Sequence, residues 1–323
     1  MNSNKATQPI FIFSLPRSGS TLLQRILASS DKISTVAEPW IMLPLFGYQD
    51  SLMTWSVYSS KAYRYAIRDL IKILPDGEQS LRLAANAYGM SIYDNLANGK
   101  PYFLDKTPRY HLIAQNLIET FPNAKYIFLW RNPLAVMASI SRTWKKNRWT
   151  FGSFNIDLNR GMDELIDTYM RNSSISHSVK YEELTSNPKE SLAQIESYLE
   201  LPSESLAYDS LLTPSIKAKM GDPTGIKEYA NQISTESIDR WQKAYNTNYR
   251  KKSASTYLER LGEDKLASIG YSVDELIGKV NQQKTTKLGI ADYYYRMRDS
   301  VRVRTQSKLL KVMRREHPGL RLS

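Results

Sequence analysis

The stretch Ser14-Leu15-Pro16-Arg17-Ser18-Gly19-Ser20-Thr21 decides the fold. Before it, Pro9 to Phe13 is a short apolar run rich in β-formers, bounded by Pro16 and Gly19, which reads as a buried strand. After it, Leu22, Leu23, Ile26 and Leu27 fall on one helical face. A tight loop between a strand and a helix turns backbone N–H groups and the positive end of the helix dipole towards an anion. Gly19 lets the backbone come close to such a ligand.

Working outward, strands and helices alternate. The region 43–99 reads as a helical insertion: Tyr63, Ile67, Leu70, Ile71 and Leu74 keep a 3/4 spacing, with turns at Pro75-Asp76-Gly77 and Asn98-Gly99-Lys100-Pro101. A strand is expected from Tyr102 to Leu104, a helix from Tyr110 to Thr120, and a clear strand from Lys125 to Trp130. Asn132-Pro133 then opens a helix running to about Trp144. Ser178 to Tyr181 is a fourth strand candidate, followed by a helix from Pro188 to Leu199. From 202 to 289 the signals are mixed loop and helix. This order predicts an α/β fold, a parallel sheet flanked by helices, with ligands beyond the carboxyl ends of the strands. The loops at 14–21, 105–110, 131–133 and 181–184 should therefore gather on one side.

Of the 323 residues 41% are hydrophobic, enough for one domain with a normal core. The absence of cysteine excludes disulfides, thiolate-bound zinc and a cysteine nucleophile. No run approaches the roughly 20 apolar residues of a membrane span, and Met1 to Gln8 lacks the layout of a signal peptide, so a soluble, cytoplasmic protein is expected. The net charge is +12, but residues 296–323 hold +7 of it and leave +5 for the rest. No RNP, helix-turn-helix or zinc-finger pattern accompanies that charge, which argues against a nucleic-acid partner. Residues 1–289 read as the main domain and 290–323 as a basic helical extension. Ile290, Tyr294, Met297, Val301, Leu309 and Val312 fall near one face of that extension. Such a helix suits an anionic membrane or a partner, but packing against its own domain is the commoner outcome and is the one expected here.

Laid over the Walker A pattern G-x-x-x-x-G-K-[ST], the loop keeps Gly19 and Thr21 but has Ser14 for the first Gly and Ser20 for the Lys. That Lys normally reaches the β- and γ-phosphates of a nucleoside triphosphate. Here the cation has moved to Arg17, so the loop suits a phosphate-like group better than ATP with Mg²⁺. Taken alone, it is also compatible with an ordinary Ser-rich turn. Its form after a first strand resembles the 5′-phosphosulfate loop of sulfotransferases that use 3′-phosphoadenosine 5′-phosphosulfate (PAPS), P-[KR]-[ST]-G-[ST]-[ST]. A second element is similar: Trp130-Arg131-Asn132-Pro133 with Ser139 eight residues after the arginine. In that family the pair holds the 3′-phosphate, and a guanidinium fork suits a phosphate. Tyr181-Glu182-Glu183-Leu184 with Asn187-Pro188 resembles a third segment, which implies that Tyr181 lies near the adenine; a core tyrosine ending a strand is the alternative. Lys219-Met220-Gly221-Asp222-Pro223 resembles a loop that closes over the nucleotide, implying contacts from Lys219 and Gly221.

The resemblance implies PAPS as donor, a hydroxyl-bearing acceptor and no metal. Arg17, Ser18, Gly19, Ser20, Thr21, Arg131, Ser139, Tyr181, Lys219 and Gly221 would bind the donor. Sulfuryl transfer resembles phosphoryl transfer in resting mainly on positioning and charge stabilisation. Arg17 and Lys106, in Leu104-Asp105-Lys106-Thr107-Pro108, are the expected catalytic cations; a solvated lysine at a strand end is the alternative for Lys106. Sulfotransferases of small phenols and steroids carry a His base after Lys-Thr; here Pro108 takes that place. This departure points to the carbohydrate- and tyrosylprotein-type branches, which use a Glu after the first helix, and makes Glu38 the candidate base. Asp105 is placed to assist Lys106, and His111 is a reserve base, although a His early in a helix is more often a surface residue. Trp40, Trp55 and Trp149 are candidate surfaces for stacking a sugar or ring of the acceptor. The rival readings are a P-loop small-molecule kinase and a non-catalytic nucleotide- or nucleic-acid-binding protein.

Overall fold

The computed structural model describes residues 7–49, 60–208, 236–286, 289–298 and 301. Among the described residues five strands form one wholly parallel sheet: β1 (Gln8–Phe13), β2 (Ile33–Thr35), β3 (Tyr102–Asp105), β4 (Lys125–Trp130) and β5 (Ser176–Lys180), in the spatial order β2-β3-β1-β4-β5. Both faces are covered, which explains why the strands read as continuous apolar runs rather than alternating ones. Phe11, Phe13, Tyr126, Phe128 and Trp130 point into one core layer. Ile10, Ile12, Ile127, Leu129 and Val179 point into the other. The two-residue period of a strand sends each alternate side chain to a different layer.

The second layer is closed by α1 (Ser20–Ala28), whose Leu22, Leu23, Ile26 and Leu27 are buried as their spacing predicts. The insertion after β2 contributes α2 (Leu43–Phe46), α3 (Ser60–Ile73) and α4 (Glu78–Ala97). There follow α5 (Ala114–Thr120), α6 (Pro133–Trp144), α7 (Met162–Asn172), α8 (Tyr181–Ser186) and α9 (Pro188–Leu199). Beyond 235 come α10 (Glu236–Asp239), α11 (Asn248–Leu261), α12 (Glu263–Ser268) and α13 (Val273–Asn281), then a helix over 290–298. Trp241, Tyr245, Leu258, Leu266 and Leu276 of this late region are buried in the same core layer as Phe11 and Phe128, so it completes the domain.

Three elements differ from the sequence reading. Ile33–Thr35 is a strand, too short for any periodicity to reveal, held at the sheet edge by β3 and by Thr35 Oγ1 donating to the Leu104 carbonyl (2.8 Å). The expected helix from Tyr110 is a 3₁₀ turn, Pro108–Leu112, before α5 begins. Tyr181 opens a helix rather than ending a strand. The expected burial of the tail's apolar face is corrected too, as far as that face is described; Leu309 and Val312 lie outside the described residues. Ile290, Tyr294, Met297 and Val301 are between 55% and 70% exposed, so their shared face points away from the domain.

Candidate active site

The chain leaves β1 towards β2 on one side and β4 towards β5 on the other, so a crevice opens between the carboxyl ends of β1 and β4. The loop after β1 enters it. Ser18 N donates to the Leu15 carbonyl (3.3 Å), and both Arg17 (φ 72°) and Gly19 (φ 97°) are left-handed, so the chain doubles back and α1 starts at Ser20. No side chain caps that helix end, which leaves its dipole and first N–H groups to meet an anion. Gly19 is required twice over. Its φ disfavours any L-residue, and a Cβ there would sit 2.3 Å from Tyr181 Cδ2. Ser18 and Ser20 are buried and Thr21 is half-buried.

The second arginine comes from the end of β4. Arg131 Nη1 donates to the Arg17 carbonyl (2.9 Å), and Arg17 Nε donates to Ser139 Oγ on α6 (3.2 Å). The Arg17 guanidinium also lies 5.3 Å from the Trp144 ring centre. Thus Arg17, more than a hundred residues away in sequence, joins Arg131 and Ser139 in one bonded cluster at the mouth of the crevice. Asn132 fixes α6 beneath it by accepting from the Leu134 and Ala135 N–H groups (2.9 and 3.4 Å), with Pro133 in the first turn. Glu182 locks the turn in its place, accepting from Asn132 N (2.9 Å) and from Tyr271 Oη (2.7 Å). Sequence reasoning passed over Glu182, although it stands inside a quoted motif; only its partners reveal its role.

Tyr181 is buried, with the Arg131 guanidinium 4.2 Å above its ring and Gly19 against its edge. A ring so covered does not fit the adenine-stacking role expected of it. It stands as the support on which the loop and Arg131 rest.

A second group lies at the same sheet edge, beyond β2 and β3. Lys106 Nζ is 3.0 Å from Glu38 Oε1, and the side chains are only 2% and 10% exposed. A solvated lysine at a strand end is thereby ruled out. Gln24 of α1 ties Glu38's segment to the loop helix by donating to Thr35 Oγ1 (2.9 Å) and the Val36 carbonyl (2.8 Å). Trp40, left-handed at φ 58°, donates its indole N–H to Glu38 Oε2 (3.3 Å) and leaves 38% of its surface open beside the carboxylate.

Asp105 turns away from this pair. It is fully buried and accepts from Tyr93 Oη (2.7 Å), Thr107 Oγ1 (3.0 Å) and Tyr110 Oη (3.0 Å). Burial raises its pKa to about 6, against the lowering pull of those three hydroxyls and of Lys106. Its contacts hold the start of the Lys106 loop, since Thr107 Oγ1 also accepts from Trp40 N (3.3 Å) and Tyr110 Oη from Met42 N (3.1 Å).

His111 is not the surface residue expected. Its ring is buried, with Nδ1 2.7 Å from the Pro108 carbonyl and Nε2 3.2 Å from Asp157 Oδ1, which Arg109 Nε also approaches at 3.1 Å. Both ring nitrogens are thus engaged within the fold. Trp149 is likewise a core residue, set edge-on to Tyr245 and Phe151. Lys219, Gly221 and Trp55 lie outside the described residues.

The sequence that carries this arrangement is matched by a known family. The model of the sulfotransferase family matches residues 9–205, which include the loop, both arginines, Ser139 and the Glu38–Lys106 pair. The chain belongs to the sulfotransferase family. It is 34% identical over 136 residues to the nodulation protein NoeE of Sinorhizobium fredii, covering 42% of this chain and 31% of that protein. It is 25% identical over 245 residues to an uncharacterized protein of Aquifex aeolicus, covering 73% of this chain and 30% of that one. The chain thus spans about a third of the length of these curated relatives. Among solved structures, the sulfotransferase domain of the Synechococcus PCC 7002 olefin synthase is similar over 74% of this chain and 88% of its own, at 22% identity and a TM-score of 0.48.

Proposed function

We propose that this sulfotransferase moves the sulfuryl group of PAPS to a hydroxyl of a carbohydrate, glycoconjugate or other small metabolite. The observation that carries the reading is the pair of arginines bonded to each other across the β1–β4 crevice, above an uncapped helix end. A donor with a phosphosulfate at one end and a phosphate at the other needs cationic groups at two points. Arg17 and the start of α1 suit the first, and Arg131 with Ser139 the second.

In this reading the acceptor hydroxyl meets Glu38. Its pKa lies far above that of a carboxylate, so the proton passes to Glu38 as the new oxygen–sulfur bond forms. Lys106 and Arg17 offset charge on the sulfuryl oxygens and on the bridging oxygen that leaves with the phosphate. Sulfate carries less charge than phosphate, so side-chain cations suffice and the reaction proceeds without a divalent ion. The hydrogen bonds from Lys106 and Trp40 hold both carboxylate oxygens in place, and the open Trp40 ring offers a sugar a stacking face. Pro108, in the place of the phenol-type histidine, supports the same acceptor class.

Release of the desulfated product, PAP, from PAPS with a panel of saccharides and simple phenols tests this. Saccharide-dependent turnover that persists in a chelator is expected. Glu38→Gln keeps the size of the side chain but removes its basicity, so kcat should fall about a hundredfold with donor binding little changed. Turnover that is abolished by chelation and restored by Mg²⁺ would count against the reading.

A further inference from the structure

We infer that the C-terminal segment seats the protein on an anionic lipid surface. Ile290, Tyr294, Met297 and Val301 recur at intervals of four, three and four residues, which places them on one helical face. In a packed helix that face meets the core. Here all four side chains are more than half exposed. What the helix buries instead is a charge. The Asp292 carboxylate accepts from Arg250 Nε (2.8 Å), Arg250 Nη2 (2.9 Å) and Thr247 Oγ1 (3.2 Å). Tyr293 adds a ring contact to Tyr249, 4.4 Å between centres. The ion pair and the ring contact pin the helix to α11 with its apolar stripe outward.

The charge beside the stripe names the occupant. Arg296 and Arg298 are exposed, Arg148 reaches the Tyr295 ring at 4.9 Å, and residues 296–323 carry +7 in all. A second copy of this face would meet like charge. A nucleic acid would satisfy the arginines but leave the apolar stripe in water. An anionic bilayer takes both, accepting the apolar side chains at the acyl boundary and the cations at the headgroups. This inference does not depend on the reading of the active site.

The test is co-sedimentation of the full chain with vesicles of phosphatidylcholine alone or mixed with phosphatidylserine. Binding to the mixed vesicles at least about tenfold tighter than to the neutral ones is expected. Ile290→Asp with Met297→Asp should weaken it by about tenfold or more at an unchanged melting temperature, as exposed positions allow. If that pair disturbs folding, Tyr294→Ser serves in its place with the same expectation. Absence of binding to mixed vesicles overturns the inference, as does binding that these substitutions leave untouched. Equal affinity for heparin or duplex DNA, also indifferent to the substitutions, overturns it in favour of charge alone. Light scattering that shows a dimer dissolved by the same substitutions, without vesicle binding, assigns the face to a second copy instead.

Discussion

Gly19 and Asp105 each support a cation of the candidate site, Arg17 in the loop after β1 and Lys106 in the loop after β3. An alanine at Gly19 must adopt a left-handed φ, at a cost of about 1–2 kcal/mol, and must also displace the Tyr181 ring. Because that ring carries Arg131 and the loop carries Arg17, Gly19→Ala should lower the melting temperature and abolish measurable PAP binding together. Retained affinity at a lowered melting temperature would separate loop geometry from the ligand. Asp105 makes a different prediction. Its folded pKa of about 6 lies above the ordinary 3.8, so its contribution to stability is complete below about pH 4 and is lost as the pH rises through 6. The loss is on the order of 3 kcal/mol. Asp105→Asn removes that titration, so the melting temperature at pH 7 relative to that at pH 4 should be higher in the variant than in wild type; an unchanged difference would show that Asp105 does not titrate in this range. At this scale Arg17, Arg131 and Ser139 were legible because each stands in a short local pattern. The bond between Arg17 and Ser139 was not, since 122 residues separate them. The sequence left Tyr181 open between two readings and took His111 for a surface residue for a related reason: the residue type is visible in a sequence, but whether a ring lies open or covered depends on distant chain segments.

Among elements, α6 connects core to site. Its buried residues from Pro133 to Ser141 seat it firmly, and its Ser139 meets Arg17. Asn132→Ala removes the cap that satisfies two N–H groups of its first turn. A loss of about 1 kcal/mol in denaturant unfolding is expected, with a several-fold fall in PAP affinity because Ser139 and Arg131 flank the frayed turn. Unfolding that is unaffected would mean that Pro133 and Glu182 suffice to hold the turn. The strand–loop–helix unit at 8–28 and the β4–α6 unit were legible because both faces of a parallel sheet are buried and their apolar runs are unbroken. The strand at Ile33–Thr35 was not legible, since three residues carry no period and its pairing with β3 supplies the evidence.

At the scale of the whole molecule, the sheet order sets the chemistry. Connections that diverge between β1 and β4 open the crevice where Arg17 and Arg131 meet, and the β2–β3 side of the same edge carries Glu38 and Lys106. The late helices complete the core under this edge, and the tail helix is pinned beside them by Arg250 and Asp292. The account stands on that crevice as a cradle for a nucleotide with phosphate groups at two points. Calorimetric titration of PAP into the full chain, in chelator and at moderate salt, tests this most directly, with Mg·ATP as the comparison and Arg131→Ala as the variant. Metal-free binding of PAP is predicted, weakened by about 2–4 kcal/mol in the variant, which leaves a doubly charged phosphate without its fork. Binding of Mg·ATP without PAP, or PAP affinity indifferent to Arg131→Ala, would contradict it.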